Sequence, residues 1–161
     1  MKRRSILVLL AAFVVPGSAL GHGFKIGNLS ITHPFFRATP PGVSTGGGYM
    51  VITNNGTEAD RLLGIETTIA DSVEFHRTVV TDGIASMQPV EGGFEIPAGA
   101  QTVIGDDGTH VMLVGVREQI IEGGIYDATL IFEKAGRYEM YFEVEPLAKL
   151  IDQHKDGGHG S

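Results

Sequence analysis

Four side chains in the sequence have the chemistry to bind a soft metal ion. They are His76, Met87, His110 and Met112, separated by 10, 22 and one intervening residues. His110 and Met112 lie two apart in an apolar run, so a β-strand would project both from one face, roughly 7 Å apart along the strand. Thioether sulfur selects Cu(I), whereas imidazole suits copper, zinc and nickel alike. Two histidines with two methionines therefore predict a Cu(I) site before any other metal.

The local patterns place these residues away from the expected core. In DSVEFHR the apolar Val73 and Phe75 alternate with polar residues, so His76 leaves on the polar face. In HVMLV, Val111 and Leu113 take one face and the candidate ligands take the other. Methionine in a small β protein is usually core filler, however. The pattern alone leaves both a metal site and ordinary packing open.

The first 21 residues have the three parts of a signal peptide. MKRR is positively charged, SILVLLAAFVV is a short apolar run, and Ala19-Leu20-Gly21 suits cleavage by signal peptidase. We expect residues 1–21 to be removed and the mature chain to begin at His22 in the periplasm. The apolar run is too short for a permanent anchor, and no cysteine is present to carry a lipid. We therefore expect no membrane anchoring.

Charge and cysteine content exclude two classes of function. Without Lys2, Arg3 and Arg4, nine of the 12 basic residues remain against 19 acidic ones. Such an acidic chain argues against nucleic acid as a partner. The absence of cysteine excludes both a disulfide and a blue-copper electron-transfer site, because the latter needs a cysteine ligand.

The mature chain is predicted to be all-β, because short β-branched and aromatic runs alternate with glycine and proline. The candidate strands are 29–33, 48–54, 61–68, 72–77, 85–90, 102–105, 110–116, 126–133 and 137–145. The last two alternate most clearly, and the KAG turn at 134–136 predicts a hairpin between them. We assign Met50 and Met140 to the core, and residues 22–146 to one β domain.

The tail at 147–161 is polar, rich in glycine and predicted to be flexible. It carries His154 and His159, and His22 would offer both an imidazole and a terminal amine. Because nitrogen and oxygen ligands suit Cu(II), these three histidines form a tentative second copper site. The alternative is a frayed terminus without a function.

Several segments together resemble a known family. They are RATPPG (37–42), TGGGYMVITNNG (45–56), MQPVEGGFEIPAG (87–99), GTHVMLVGV (108–116) and FEKAG (132–136), with the H…M…HxM spacing. Over roughly residues 24–145 the chain resembles the periplasmic copper chaperones called PCu(A)C. The gap between Met87 and His110 is about one residue longer than usual, and the tail lacks methionine.

This resemblance implies a fold, a site and a role. The fold would be a cupredoxin-like Greek-key β-barrel or sandwich with one exposed Cu(I) site at His76, Met87, His110 and Met112. The role would be delivery of Cu(I) for assembly of the CuA centre of cytochrome c oxidase. The implied partners are the CuA subunit, a Sco-type thiol protein, or both. Ligands on loops and a strand edge at one end of the barrel would let a partner reach the ion.

Three other functions stay open. The protein could serve general periplasmic copper storage and homeostasis. It could be a copper-dependent oxidative enzyme with His22 as the mature N-terminal ligand, or a metal-free adhesion or scaffolding β-sandwich. We do not predict an enzyme, because the sequence presents no evident nucleophile or general-base arrangement.

Overall fold

The computed structural model describes residues 23–105 and 108–146, which form eleven β-strands and no helix. No helix in this part of the chain is long and apolar enough to cross a membrane. The strands are β1 (Gly23–Ile26), β2 (Leu29–Arg37), β3 (Thr45–Asn54), β4 (Asp60–Thr67), β5 (Ser72–Thr81), β6 (Ile84–Pro89), β7 (Phe94–Ile96), β8 (Gln101–Ile104), β9 (Thr109–Val114), β10 (Ile125–Phe132) and β11 (Arg137–Glu145). The predicted all-β class is confirmed. The predicted signal peptide, His22 and the tail at 147–161 lie outside the described residues.

The strands pair in the order β6-β5-β9-β3-β2-β11-β10-β4-β7, with β1 added to β2 and β8 added to β3. Most of these pairs are antiparallel, but β11 runs parallel to β2 and makes the sheet mixed. β4 also contacts β5, so distant parts of the sheet order come together around one core. Strand β6 lies at an edge of this order.

The core is built from the apolar faces of the strands. Phe36 of β2 stacks on Phe142 of β11 with ring centroids 4.3 Å apart, and both rings are fully buried. Burial of such a side chain contributes about 1.5–3 kcal/mol. Met50 and Met140 are also buried, as predicted. The predicted hairpin between β10 and β11 forms, and the amide of Phe132 donates to the carbonyl of Gly136 across its turn.

Strands β8 and β9 share one edge of β3. The second half of β3 pairs with β8, and its first half pairs with β9. Between them the chain turns at Gly105, where a β-carbon would lie 2.0 Å from the ring of Tyr49 and φ is +102°. Glycine is therefore required there. After this turn, His110 pairs with β5, which brings β9 between β3 and β5.

Candidate metal centre

The four predicted ligands lie on three neighbouring strands. His76 is on β5, Met87 on β6, and His110 and Met112 on β9, with β5 between the other two strands. We expected loops to supply part of the set, but all four residues belong to strands. Only Met87 lies on an edge strand, and it is 61% exposed.

The strand register sets the two histidines side by side. His76 is paired directly with His110 across β5 and β9, and residues opposed in this way have β-carbons about 4.5–5.5 Å apart. Val111 and Leu113 are buried in the core, with 1% and 0% exposure. Because alternate residues of a strand point to opposite faces, His110 and Met112 face outward, as predicted.

Three of the four candidate side chains line one small pocket. It has a volume of about 160 Å³, and Met87, His110 and Met112 line it. Met87 reaches this face because it pairs with Thr78, two residues along β5 from His76. His76 does not line the pocket but adjoins it through its pairing with His110. The structure thus brings the two methionines and His110 onto one cavity, with His76 beside it.

The first half of β3 forms another wall of this pocket. Gly47 is paired with Met112, and its missing side chain leaves room beside the thioether. Tyr49 also lines the pocket, and its ring stacks on Phe35 with centroids 4.9 Å apart. The guanidinium of Arg37 lies 4.8 Å from the centre of the Tyr49 ring. These contacts hold Tyr49 in place as a wall.

Polar contacts restrain both imidazoles. Nε2 of His110 lies 3.0 Å from the hydroxyl oxygen of Thr78. Nε2 of His76 lies 3.1 Å from Oε2 of Glu74, while its Nδ1 is buried and has no hydrogen-bond partner. Buried polar atoms are almost always hydrogen-bonded, so this nitrogen needs an explanation. His76 is paired with His110, which lines the pocket with Met87 and Met112, and imidazole with thioether is a ligand set that fits Cu(I).

Groups of three or more histidine and carboxylate side chains could also hold a metal ion. In residues 23–105 and 108–146, no three His, Asp or Glu side chains are grouped so that they could hold a metal ion. The tentative second site at His22, His154 and His159 falls outside the described residues.

Sequence reasoning missed four residues that shape the site: Glu74, Thr78, Gly47 and Tyr49. Alternation along β5 could have found Glu74 and Thr78, because both are two residues from His76 and share its face. Gly47 and Tyr49 had no such signal. Their place beside the ligands depends on the pairing of β3 with β9, which is a long-range contact.

Comparison with known proteins identifies the family. Residues 29–144 match the family model described as "Putative lipoprotein LpqE-like". The chain belongs to the LpqE-like family. A curated relative, "Putative lipoprotein Lxx21020" from Leifsonia xyli subsp. xyli, is 29% identical over 141 residues, which cover 88% of this chain and 84% of that protein. Lipoproteins are exported proteins, so this membership supports the predicted export.

Solved structures of PCuAC domains share the fold. The copper-bound PCuAC domain from PmoF2 is 29% identical, with a TM-score of 0.66 over 78% of this chain and 98% of that chain. Cu(I)-bound DR1885 from Deinococcus radiodurans is 25% identical, with a TM-score of 0.59 over 79% and 83% of the two chains. The predicted PCu(A)C membership and cupredoxin-like fold class are confirmed.

Proposed function

We propose that the protein is a periplasmic copper chaperone. It binds Cu(I) through His76, Met87, His110 and Met112 and delivers the ion for assembly of the CuA centre of cytochrome c oxidase. The observation that carries this proposal is the pocket lined by three of these residues, with His76 paired directly with His110 on the neighbouring strand. Similarity to copper-bound PCuAC domains supports copper as the metal.

The donor set suits temporary binding of Cu(I). Thioethers are soft ligands that favour Cu(I) over harder ions, and they do not form disulfides in an oxidising compartment. Imidazole and thioether are both neutral, so the loaded site carries the charge of the ion. A partner with cysteine thiolates would offer stronger, anionic ligands for the same soft ion. Transfer of Cu(I) from the thioethers to the thiolates is therefore favourable, because the thiolates are the stronger ligands.

The position of Met87 supports delivery over storage. Met87 is 61% exposed on the edge strand β6, whereas His76 is held with 13% of its side chain exposed. An incoming thiolate can therefore displace the Met87 thioether first, while the histidines still hold the ion. The proposed acceptor is the CuA subunit, a Sco-type thiol protein, or both.

Anaerobic titration with Cu(I) in competition with a chelator tests the binding step. We expect one high-affinity equivalent, and X-ray absorption should show two sulfur and two nitrogen ligands. A protein that takes no Cu(I) from the chelator would instead be a metal-free scaffold. Loss of binding in His22→Ala, with binding kept in Met112→Leu, would support the oxidative enzyme.

A transfer assay separates a chaperone from a storage protein. The loaded protein is mixed with a soluble CuA domain or with a Sco-type protein, and copper is measured in each after separation. We expect copper to move to at least one of these acceptors. Retention of all copper in the presence of both would support storage and homeostasis.

A further inference from the structure

Glu74 is part of the same outer face as the candidate ligands. It precedes His76 by two residues on β5 and is paired directly with Met112 of β9. Because His76 is paired with His110 in the adjacent row, these four side chains form one block of neighbours. The Glu74 side chain is 47% exposed, and its Oε2 lies 3.1 Å from Nε2 of His76.

The two ring nitrogens of His76 have different surroundings. A carboxylate accepts hydrogen bonds and donates none, so its 3.1 Å contact with Nε2 favours the proton on that nitrogen. In the neutral ring, Nδ1 then keeps the free lone pair. That atom is buried and has no partner among the described residues. The arrangement selects one tautomer and leaves one nitrogen available.

We propose that Glu74 is a positioning residue that fixes the Nε2–H tautomer of His76, so that His76 binds Cu(I) through Nδ1. The inference rests on the proposed Cu(I) site. Metal-binding histidines commonly donate their second N–H to a carboxylate or carbonyl, which fixes the ring and raises its basicity. The carboxylate also offsets the positive charge that Cu(I) brings to a set of neutral ligands.

His110 has a different partner and gives an internal comparison. Its Nε2 lies 3.0 Å from the hydroxyl of Thr78. A hydroxyl can donate or accept, so this contact does not select a tautomer. Removal of the Glu74 carboxylate should therefore change the tautomer of His76 and leave that of His110 as it is.

Nitrogen-15 NMR of the histidine rings tests the inference in the metal-free protein, at a pH where both rings are neutral. In the wild type, His76 should be protonated at Nε2 and unprotonated at Nδ1. In Glu74→Ala it should become a mixture of tautomers, and in Glu74→Gln the amide oxygen should restore much of the Nε2–H form. Glu95→Ala, which removes an exposed carboxylate on β7, is the control. A wild-type tautomer in Glu74→Ala would overturn the role of Glu74.

Addition of Cu(I) then tests the ligating atom. The Nδ1 resonance of His76 should show the larger shift, and Cu(I) affinity should fall about 10–100-fold in Glu74→Ala. It should fall less in Glu74→Gln and stay unchanged in Glu95→Ala. A Cu(I)-induced shift at Nε2 of His76 would overturn ligation through Nδ1. Failure of the wild type to bind Cu(I) would overturn the proposed function and this ligation together, while tautomer selection by Glu74 would still stand on the metal-free spectra.

Discussion

His76 and His110 are directly paired across the antiparallel strands β5 and β9, although β6, β7 and β8 lie between them in the sequence. This single pairing joins the two halves of the candidate site. It also places Glu74 opposite Met112 in the next row. The pairing of β5 with β9, more than the spacing along the chain, therefore determines which side chains can bind the same ion.

The two thioethers can be tested by a volume-conserving change. Met87→Leu with Met112→Leu keeps size and apolarity at two positions outside the core, so the free energy of unfolding should fall by less than about 1.5 kcal/mol. Cu(I) affinity should fall by more than about 100-fold, which exceeds the usual loss for an outer-shell partner. Chelator competition measures the affinity, and chemical denaturation measures the stability.

The core methionines are the matched control for that double variant. Met50 and Met140 are 1% and 5% exposed and pack in the core. Met50→Leu with Met140→Leu should leave Cu(I) affinity at the wild-type value, although it removes the same number of sulfur atoms. Equal losses of affinity in the two double variants would contradict the assignment of Met87 and Met112.

The sequence alone predicted much of the fold and the four candidate ligands. Alternation was decisive where a strand has one buried face, as in β10 and β11, whose alternate apolar residues form part of the core. The same alternation placed His110 and Met112 opposite the buried Val111 and Leu113. These are local properties of a strand, so one segment of sequence is enough to show them.

Alternation along the sequence did not predict the strands β1 and β7 or the residues that form the pocket walls. β7 has only three residues, Phe94–Ile96, and β1 only four, Gly23–Ile26, which are too few to display a clear period. The placement of Tyr49 depends on how β3 pairs with β8 and β9, which only the folded chain specifies. Long-range pairing is set by the packing of the whole core and carries no local signature.

Adjacent glycines on β3 should respond in opposite ways. Gly47 faces the pocket, where an added β-carbon would meet the Tyr49 ring at 3.4 Å, an ordinary contact distance. Gly47→Leu should therefore fold but fill the space beside Met112, and so weaken Cu(I) binding. At Gly48 the added carbon would lie 3.2 Å from Phe36 and from Val111, which are 0% and 1% exposed. Gly48→Ala should lower stability by about 1–3 kcal/mol, because the packed core cannot yield.

Thermal unfolding measures the stability of both glycine variants, and chelator competition measures their Cu(I) affinity. The expected result is loss of affinity with stability kept in Gly47→Leu, and loss of stability with affinity kept in the folded fraction of Gly48→Ala. Wild-type Cu(I) affinity in a folded Gly47→Leu protein would show that this wall is not part of the site.

A surface ion pair predicts a small dependence of stability on acid. Arg137 donates to both oxygens of Glu66, at 3.1 and 2.5 Å, and this hydrogen bonding holds the pKa of the Glu66 carboxyl below its ordinary value of 4.5. A lowered folded-state pKa stabilises the fold above the ordinary pKa, and this stabilisation is lost as the pH falls through the lowered value.

Denaturation of the wild type and of Glu66→Gln from neutral to acidic pH tests this sign. The wild type should be slightly more stable near neutrality, and the difference should shrink below the ordinary pKa of 4.5 and vanish as the pH falls through the lowered folded-state pKa of Glu66. Because the pair is exposed, added salt should shrink the difference at neutral pH. A difference that grows in acid would contradict the assigned direction.

The histidines outside the described residues give the final prediction, for a second copper in the oxidised form. If His22, His154 and His159 form a Cu(II) site, a second equivalent should bind only as Cu(II), with nitrogen and oxygen ligands in its electron paramagnetic resonance spectrum. Ordering a glycine-rich tail would cost conformational entropy, so this affinity should be the weaker of the two. Truncation after Pro146, whose carbonyl accepts from Arg37, should remove the Cu(II) equivalent and leave Cu(I) binding intact. A truncated protein that keeps both equivalents would show that the Cu(II) ligands lie within the β domain.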